Sequence, residues 1–191
     1  VCIPKPNYTP KKANLAANKT KAVAWFVSHC KTASRREMYA EELSNYIGVN
    51  IFGECSNSTK CLRSSQDVKD EERCLIDLIN NEYLYYLSFE NSICHEYVTE
   101  KFNRMIRFVD VVPIILGGAD YDNILPKGSF IDIADFSSPE ELGKYLKELA
   151  QDPEAYNKFI NIKKGHTCRT KQSYHCDFCE YLHKHRYEQQ I

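Results

Sequence analysis

Glu100 and Lys101 are adjacent residues of opposite charge that could together bind a nucleotide. They lie in the segment Tyr97-Val98-Thr99-Glu100-Lys101, which we predict to open a helix, and the free N–H groups of a helix N-terminus attract phosphate oxygens. A lysine in the first helical turn adds a full positive charge, although the helix dipole alone disfavours it there. The Glu100 carboxylate can accept two hydrogen bonds from a vicinal diol such as ribose. A solvent-exposed ion pair is the alternative interpretation, and spacing alone favours it.

Two arginines, Arg35 and Arg36, lie at the start of a predicted helix, which follows a strand predicted over residues 22–28. One of them could reach over the sheet end to a diphosphate, because a guanidinium donates two parallel hydrogen bonds. Two exposed basic residues are the alternative, which the pattern alone favours. Gly117-Gly118 permits a sharp turn or a close approach of the backbone to a ligand. The glycine patterns of dinucleotide enzymes and of P-loop kinases and ATPases are absent, which argues against those classes.

The elements that must position these residues alternate between strands and helices. We predict strands over 22–28, 49–52, 83–89, 111–116 and 130–133, and helices over 34–47, 67–80, 98–108, 138–150, 153–162 and 179–189. This alternation predicts an α/β fold with a mainly parallel sheet. Ligands of such sheets bind beyond the carboxyl ends of the strands, where the strand order reverses. We therefore expect the site in residues 28–36, 90–101 and 117–123.

The charge of the chain excludes some partners. Its 191 residues carry 25 basic and 26 acidic side chains, which give a formal net charge of −1. This balance indicates no bulk attraction to nucleic acid or to an anionic membrane, so recognition of phosphate must be local. No apolar run approaches the roughly 18 residues that span a bilayer. The sequence does not begin with methionine, and we expect it to start within a longer chain.

Cysteines and glycosylation sequons indicate an oxidising secretory compartment. The chain has nine cysteines and three Asn-x-Ser/Thr sequons, at Asn7, Asn18 and Asn57. Because nine is odd, at least one thiol is free or paired outside this chain.

The positions of five cysteines suggest particular disulfides. Cys30 and Cys94 both follow strand ends at the same edge of the predicted sheet, so we expect them to pair. Cys55, Cys61 and Cys74 cluster near one loop and could supply one more bridge.

The carboxyl-terminal tail has two possible interpretations. Cys176 and Cys179 form a Cys-x-x-Cys pair, and His183 and His185 follow, so the four side chains could bind zinc. The two histidines are too close together for a Cys2His2 finger, and no second half of a zinc site is evident. A pair of disulfide-forming cysteines is the other interpretation.

The strand ends resemble one family, the α-1,3/1,4-fucosyltransferases that use GDP-fucose. The signature is FENS at 89–92, YVTEK at 97–101 and VPIILG at 112–117. Supporting segments are Val27-Ser28, Arg36-(x)2-Tyr39-(x)3-Leu43, residues 129–132 and residues 138–139. The resemblance runs from about residue 21 through residue 179, which is most of the chain.

The resemblance implies the donor-binding half of a GT-B glycosyltransferase, a Rossmann-like, doubly wound and mainly parallel sheet. This domain would cover residues 22–165, with residues 1–21 as a linker from a missing amino-terminal acceptor domain and residues 166–191 as a Cys-rich tail and helix. The implied reaction transfers fucose from GDP-fucose, with inversion, to an N-acetylglucosamine-type acceptor in glycoprotein or glycolipid glycans. It implies no metal, cofactor or nucleic-acid partner. The whole enzyme would be a type II membrane protein of the Golgi lumen.

The resemblance also implies roles for individual residues, all of which follow strands of the sheet: Ser28, Arg36, Asn91, Ser92, Tyr97, Glu100 and Lys101. Lys101 and Arg36 would contact the diphosphate and stabilise the leaving group. Glu100 would bind the ribose diol, and Tyr97 would pack near the nucleoside. Asn91 and Ser92 would line the pocket near the sugar. The catalytic base would belong to the missing domain, so we expect this chain to bind nucleotide but hardly to catalyse.

Two alternatives stay open beside this resemblance. The chain could be a non-catalytic, disulfide-stabilised secreted module with a vestigial nucleotide site, or a zinc-binding domain that depends on the tail. The resemblance itself makes Cys176 and Cys179 disulfide partners, either of each other or of the missing domain.

Overall fold

The computed structural model describes residues 2–56, 61, 68–95, 97–99 and 109–168, and within 68–72 it describes the backbone only. The elements, in chain order, are β1 (Cys2–Pro4), β2 (Lys21–Phe26), α1 (Arg36–Ser44), β3 (Val49–Phe52), α2 (Val68–Glu82), β4 (Tyr83–Phe89), β5 (Val112–Leu116), α3 (Tyr121–Ile124), β6 (Ile131–Asp132), a 3-10 turn (Ile133–Asp135), α4 (Pro139–Gln151), α5 (Pro153–Lys164) and β7 (His166–Cys168).

Five strands form one parallel sheet in the order β3-β2-β4-β5-β6. The predicted α/β fold with its mainly parallel sheet is therefore confirmed. β3 lies on one side of β2, whereas β4, β5 and β6 lie on the other, so the strand order reverses between β2 and β4. In open α/β sheets this reversal opens a crevice beyond the carboxyl ends of the two strands.

Helices cover both faces of the sheet, which explains the apolar strand sequences. On the face of α1, α4 and α5, the buried side chains of Trp25 and Leu87 pack with Leu146. On the face of α2, Phe52 packs with Tyr83 and Ile79. All five residues of β5 are buried.

The start of α4 follows its sequence signals closely. Ser138 accepts a hydrogen bond from the Glu141 amide at 3.2 Å, and Pro139 is the first helical residue. The Glu141 carboxylate reaches back to Ser137, where it accepts hydrogen bonds from the amide at 2.7 Å and from the hydroxyl at 2.6 Å.

The amino-terminal segment, expected to be a linker, packs against the domain. β1 pairs antiparallel with β7, and a disulfide joins Cys2 to Cys168. The Asn161 side chain on α5 accepts hydrogen bonds from the Tyr8 hydroxyl at 2.8 Å and from the Lys11 amide at 2.9 Å. Sequence composition missed this packing because polar, proline-rich segments are typical of both linkers and surface straps. A connection from this segment to a further domain stays a prediction.

The expected disulfide between Cys30 and Cys94 is wrong. Cys30 is bonded to Cys55, while Cys94 is free and exposed; a further disulfide joins Cys61 to Cys74. The physical reason is the sheet order: Cys30 follows β2 and Cys55 follows its hydrogen-bonded neighbour β3, whereas Cys94 follows β4 on the other side of β2.

Several sequence predictions fall outside the described residues. These are the candidate ligands Glu100 and Lys101, the sequon at Asn57, the tail residues Cys176, Cys179, His183 and His185, and the helix over 179–189. Of the helix predicted over 98–108, only residues 98–99 are described, and they are not helical. None of the helices in the described ranges is long and apolar enough to cross a bilayer.

Candidate functional site

Arg36 joins the two strands between which the strand order reverses. Its Nη1 donates a hydrogen bond of 2.6 Å to the Phe89 carbonyl, at the end of β4. Its Nη2 donates one of 3.1 Å to the His29 carbonyl, just beyond β2. The guanidinium lies 5.5 Å from the ring centre of Trp25, which adds a cation–π contact. The first residue of α1 therefore links the chain segments that leave β2 and β4.

The backbone before α1 directs one arginine inward and its neighbour outward. Arg35 has a left-handed conformation with φ 52°, which is unusual for a residue other than glycine, and its side chain is exposed. Arg36, the next residue, is only 1% exposed. The alternative of two exposed basic residues is therefore wrong for Arg36.

Burial shapes the electrostatics of Arg36. It lowers the pKa of the guanidinium, whereas the negative charges of Glu37 and Glu90 raise that pKa. An arginine side chain stays protonated in proteins, so a positive charge is held beneath the crevice. Among the described residues, Arg36 Nε has no hydrogen-bond partner.

The structure brings Arg36 to the expected site, but it uses the side chain differently from the sequence prediction. Two terminal N–H groups are bonded to backbone carbonyls, and the guanidinium is closed off from solvent. A diphosphate would reach it only after the covering loops move. In the described structure Arg36 therefore has a structural role, because it links the chain segments that leave β2 and β4.

Glu90 is the second charged residue buried at this edge of the sheet, with 2% of its surface exposed. Its carboxylate accepts hydrogen bonds from the Thr99 amide at 3.0 Å and from the Thr99 hydroxyl at 2.8 and 3.0 Å. The sequence prediction did not include Glu90 among the site residues. The available signal was an acidic residue placed directly after a strand that is apolar on both faces.

The chain after β4 is held in place at further points. The Ser34 amide donates to the Asn91 carbonyl at 3.0 Å, and His95 forms a parallel bridge with Gly118. A Cβ atom on Gly118 would lie 2.4 Å from the Cys94 carbonyl oxygen, so only glycine allows this approach. Gly118 thus makes room for the neighbouring loop.

The other described candidates lie on the same two loops. Ser28 is exposed after β2, while Asn91 and Ser92 are half-buried after β4. Tyr97 is 37% exposed, and its amide donates to the Cys94 carbonyl at 3.2 Å. These residues therefore lie on the two chain segments that Arg36 links. No cluster of three or more His, Cys, Asp or Glu side chains suited to a metal ion occurs within the described ranges.

A cavity of about 410 Å³ lies at the opposite end of the sheet, near the start of β5. Two of the lysines that line this cavity form hydrogen bonds or an ion pair with other residues of the chain. Lys163 donates to the Val109 and Val111 carbonyls at 2.5 and 2.7 Å, and Lys164 contacts Asp110 at 2.5 Å. These bonds indicate a structural role, since they join the end of α5 to the chain that enters β5.

Comparisons with known proteins agree on one family. A protein-family model, described as glycosyltransferase family 10 (fucosyltransferase), C-terminal part, matches residues 16–191. Over 175 aligned residues the chain is 43% identical to glycoprotein 3-alpha-L-fucosyltransferase A of Drosophila melanogaster. This alignment covers 89% of this chain and 33% of that protein. The chain is 35% identical to 4-galactosyl-N-acetylglucosaminide 3-alpha-L-fucosyltransferase 9 of Bos taurus, covering 88% of this chain and 45% of that protein.

The fold is also similar to solved structures. A crystal structure of an alpha1,3-fucosyltransferase with GDP-fucose superposes with a TM-score of 0.59 and 25% identity, covering 74% of this chain and 38% of that one. A structure of an alpha1,3-fucosyltransferase with GDP superposes with a TM-score of 0.58. The chain thus spans less than half the length of the relatives it matches.

Proposed function

The chain belongs to glycosyltransferase family 10, the fucosyltransferases, and we propose that it forms the part of such an enzyme that binds GDP-fucose. The observation that carries the proposal is the reversal of strand order between β2 and β4, where Arg36 ties together the loops that leave these two strands. Ligands of parallel α/β sheets bind at this place. The similarity to a fucosyltransferase structure with GDP-fucose gives independent support.

In the proposed reaction the whole protein transfers fucose with inversion to an N-acetylglucosamine-type hydroxyl of a glycoprotein or glycolipid glycan. The bond between the fucose anomeric carbon and the β-phosphate oxygen breaks, and GDP leaves with that electron pair. The acceptor oxygen forms the new bond and gives its proton to a carboxylate base in a further domain of the protein. Fixed cations stabilise the charge that grows on the leaving phosphate.

The proposed roles of the site residues are those that the resemblance to the fucosyltransferases implies. Lys101 contacts the diphosphate and Glu100 the ribose diol. Asn91 and Ser92 line the sugar end of the crevice, and the exposed Tyr97 packs near the nucleoside. Ser28 borders the crevice from the β2 side. Arg36 supplies positive charge from below and keeps the two loops together.

The same proposal includes a location and partners. Three disulfides suit an oxidising compartment, and the sequon residues Asn7 and Asn18 are exposed, as glycosylation requires. The resemblance to the fucosyltransferases further implies that the whole protein is a type II membrane protein of the Golgi lumen. Its amino-terminal domain provides the site for the glycan acceptor.

Calorimetric titration of the folded chain with GDP, with and without EDTA, tests the proposal. We expect saturable heat for GDP, a much weaker signal for UDP, and no effect of EDTA because lysine and arginine take the place of a metal. Absence of heat with folded protein would overturn the proposal. A fall of the unfolding midpoint in EDTA alone would instead support the zinc-binding alternative.

Substitution of Lys101 tests the site itself. Lys101→Ala should abolish GDP binding without lowering the unfolding midpoint. Lys158→Ala, which removes an exposed lysine of α5, is the matched control and should bind GDP as the unmodified chain does.

A further inference from the structure

We propose that Glu90 is a positioning residue, which holds the loop of residues 91–98 in its donor-binding conformation through hydrogen bonds to Thr99. This inference rests on the proposed function. Asn91, Ser92 and Tyr97, which are three of the described candidates for donor binding, lie in this loop.

The backbone of Glu90 is a fixed point from which the carboxylate extends. Its amide donates to the Leu116 carbonyl at 2.8 Å, which continues the pairing of β4 with β5. Its carbonyl accepts a hydrogen bond of 2.8 Å from the Ser34 hydroxyl, just before α1. Glu90 is thus tied to the sheet on one side and to the α1 segment on the other.

The carboxylate closes the loop by binding the residue at its far end. Thr99 is nine residues along the chain, and both its amide and its hydroxyl donate to Glu90. The two ends of the 91–98 loop are therefore held together by charge-assisted hydrogen bonds inside the protein, which are stronger than neutral ones. In the sequence, Glu100 and Lys101 follow Thr99 directly.

A buried carboxylate near a diphosphate site has two opposing effects on GDP affinity. Whether GDP affinity rises or falls when the carboxylate is neutralised therefore tests the proposal. Its negative charge repels a phosphate, so neutralising it should strengthen GDP binding if charge alone matters. If Glu90 acts by holding Thr99, neutralising it should weaken GDP binding. The positioning role requires the second result.

The experiment is a calorimetric GDP titration of five forms of the chain: unmodified, Glu90→Gln, Thr99→Val, the double variant, and Thr99→Ser. Valine keeps the shape and the amide of Thr99 but removes the hydroxyl, whereas serine retains it. The matched control is the Glu141–Ser137 pair, in which a carboxylate also accepts from the amide and hydroxyl of one residue. Glu141→Gln and Ser137→Ala change such a pair at the exposed amino-terminal end of α4, where Ser137 precedes the helix.

We expect Glu90→Gln and Thr99→Val each to weaken GDP binding about tenfold, the usual effect of one charge-assisted hydrogen bond. The double variant should lose less GDP affinity than the sum of the two single losses, because both substitutions alter the same group of hydrogen bonds. Thr99→Ser should bind within about twofold of the unmodified chain, since it restores the hydroxyl bond. The two control variants should leave GDP affinity unchanged, even where they lower the unfolding midpoint.

Three results would overturn the inference, and they are distinguishable from one another. Unchanged or tighter GDP binding by Glu90→Gln would show that the carboxylate does not position the loop, and the proposed function would stand. Additive losses in the double variant would show that the two residues act separately. Absence of GDP binding by the unmodified chain would remove the proposed function and this inference together.

Discussion

The Arg36 guanidinium donates a hydrogen bond of 2.6 Å to the carbonyl oxygen of Phe89, so the first residue of α1 is joined to the last residue of β4. Because the same group also reaches the His29 carbonyl beyond β2, one side chain spans the place where the strand order reverses. Its burial makes this contact structural as well as electrostatic.

Replacing Arg36 by methionine should therefore destabilise the fold. Methionine fills part of the space but leaves the buried Phe89 carbonyl and the part-buried His29 carbonyl without the Arg36 donor, and we expect the free energy of unfolding to fall by about 3 kcal/mol. Urea denaturation followed by circular dichroism measures this loss. Arg35→Lys, at the exposed neighbouring position, should change the value by less than about 0.5 kcal/mol. Equal effects of the two substitutions would contradict the assigned burial.

Arg35→Gly should stabilise the chain slightly. The left-handed conformation at φ 52° costs a residue with a Cβ about 1–2 kcal/mol, which glycine avoids. Glycine also has more freedom in the unfolded chain, which offsets about half of this gain. A net increase of about 0.5 kcal/mol in the free energy of unfolding is expected. A decrease of more than about 1 kcal/mol would mean that the Arg35 side chain makes a stabilising contact.

Gly118→Ala should disturb the loop after β4. The added Cβ would lie 2.4 Å from the Cys94 carbonyl oxygen, so the two backbones must separate. We expect a loss of about 2 kcal/mol in unfolding free energy, together with weaker GDP binding. Gly48→Ala is the control, because a Cβ at Gly48 meets no atom within 4 Å. A Gly118 variant with unchanged stability and affinity would show that the loop tolerates a wider spacing.

Lys163 should make stability depend on pH. Its side chain is 5% exposed, and burial lowers the pKa of its ammonium to about 7 in the folded protein, against 10.5 in an unfolded chain. Between these two values the unfolded state binds the additional proton, so the free energy of unfolding should rise with pH. The slope from this one group is at most about 1.4 kcal/mol per pH unit.

Urea denaturation at pH 7.0 and 8.5 tests this prediction. Lys19, whose pKa burial lowers to about 8, adds to the slope in the same direction. Lys163→Met should therefore reduce the slope without removing it. A stability that falls over this interval would contradict the assignment.

Cysteine reactivity should follow the observed disulfides. In the folded, unreduced chain, iodoacetamide should alkylate Cys94, which is free and exposed, and should leave Cys30 and Cys55 unmodified. A non-reducing peptide map identifies the labelled positions. A peptide that links Cys30 to Cys94 would restore the pairing expected from the sequence.

The sequence predicted the sheet well because buried parallel strands need continuous apolar runs. The runs that became β2, β4 and β5 have no other plausible place than the interior. The location proposed for the candidate site follows from the alternation of strands and helices, since ligands bind beyond the carboxyl ends of parallel strands; that location stays a prediction.

Details that depend on strand order and loop path could not be predicted in the same way. The partner of Cys30 depends on β3 lying beside β2, which periodicity does not specify. The burial of Arg36 depends on the left-handed turn at Arg35, and arginine is not a residue that signals such a turn. The contact between Glu90 and Thr99 depends on how the 91–98 loop folds back.

Hydrogen–deuterium exchange with and without saturating GDP tests most directly whether the nucleotide occupies the crevice at the ends of β2 and β4. This occupancy should slow exchange in residues 28–36 and 90–99 and leave exchange unchanged around Lys163 and His166 at the opposite end of the sheet. Protection confined to that opposite end, or no protection anywhere at saturation, would contradict it.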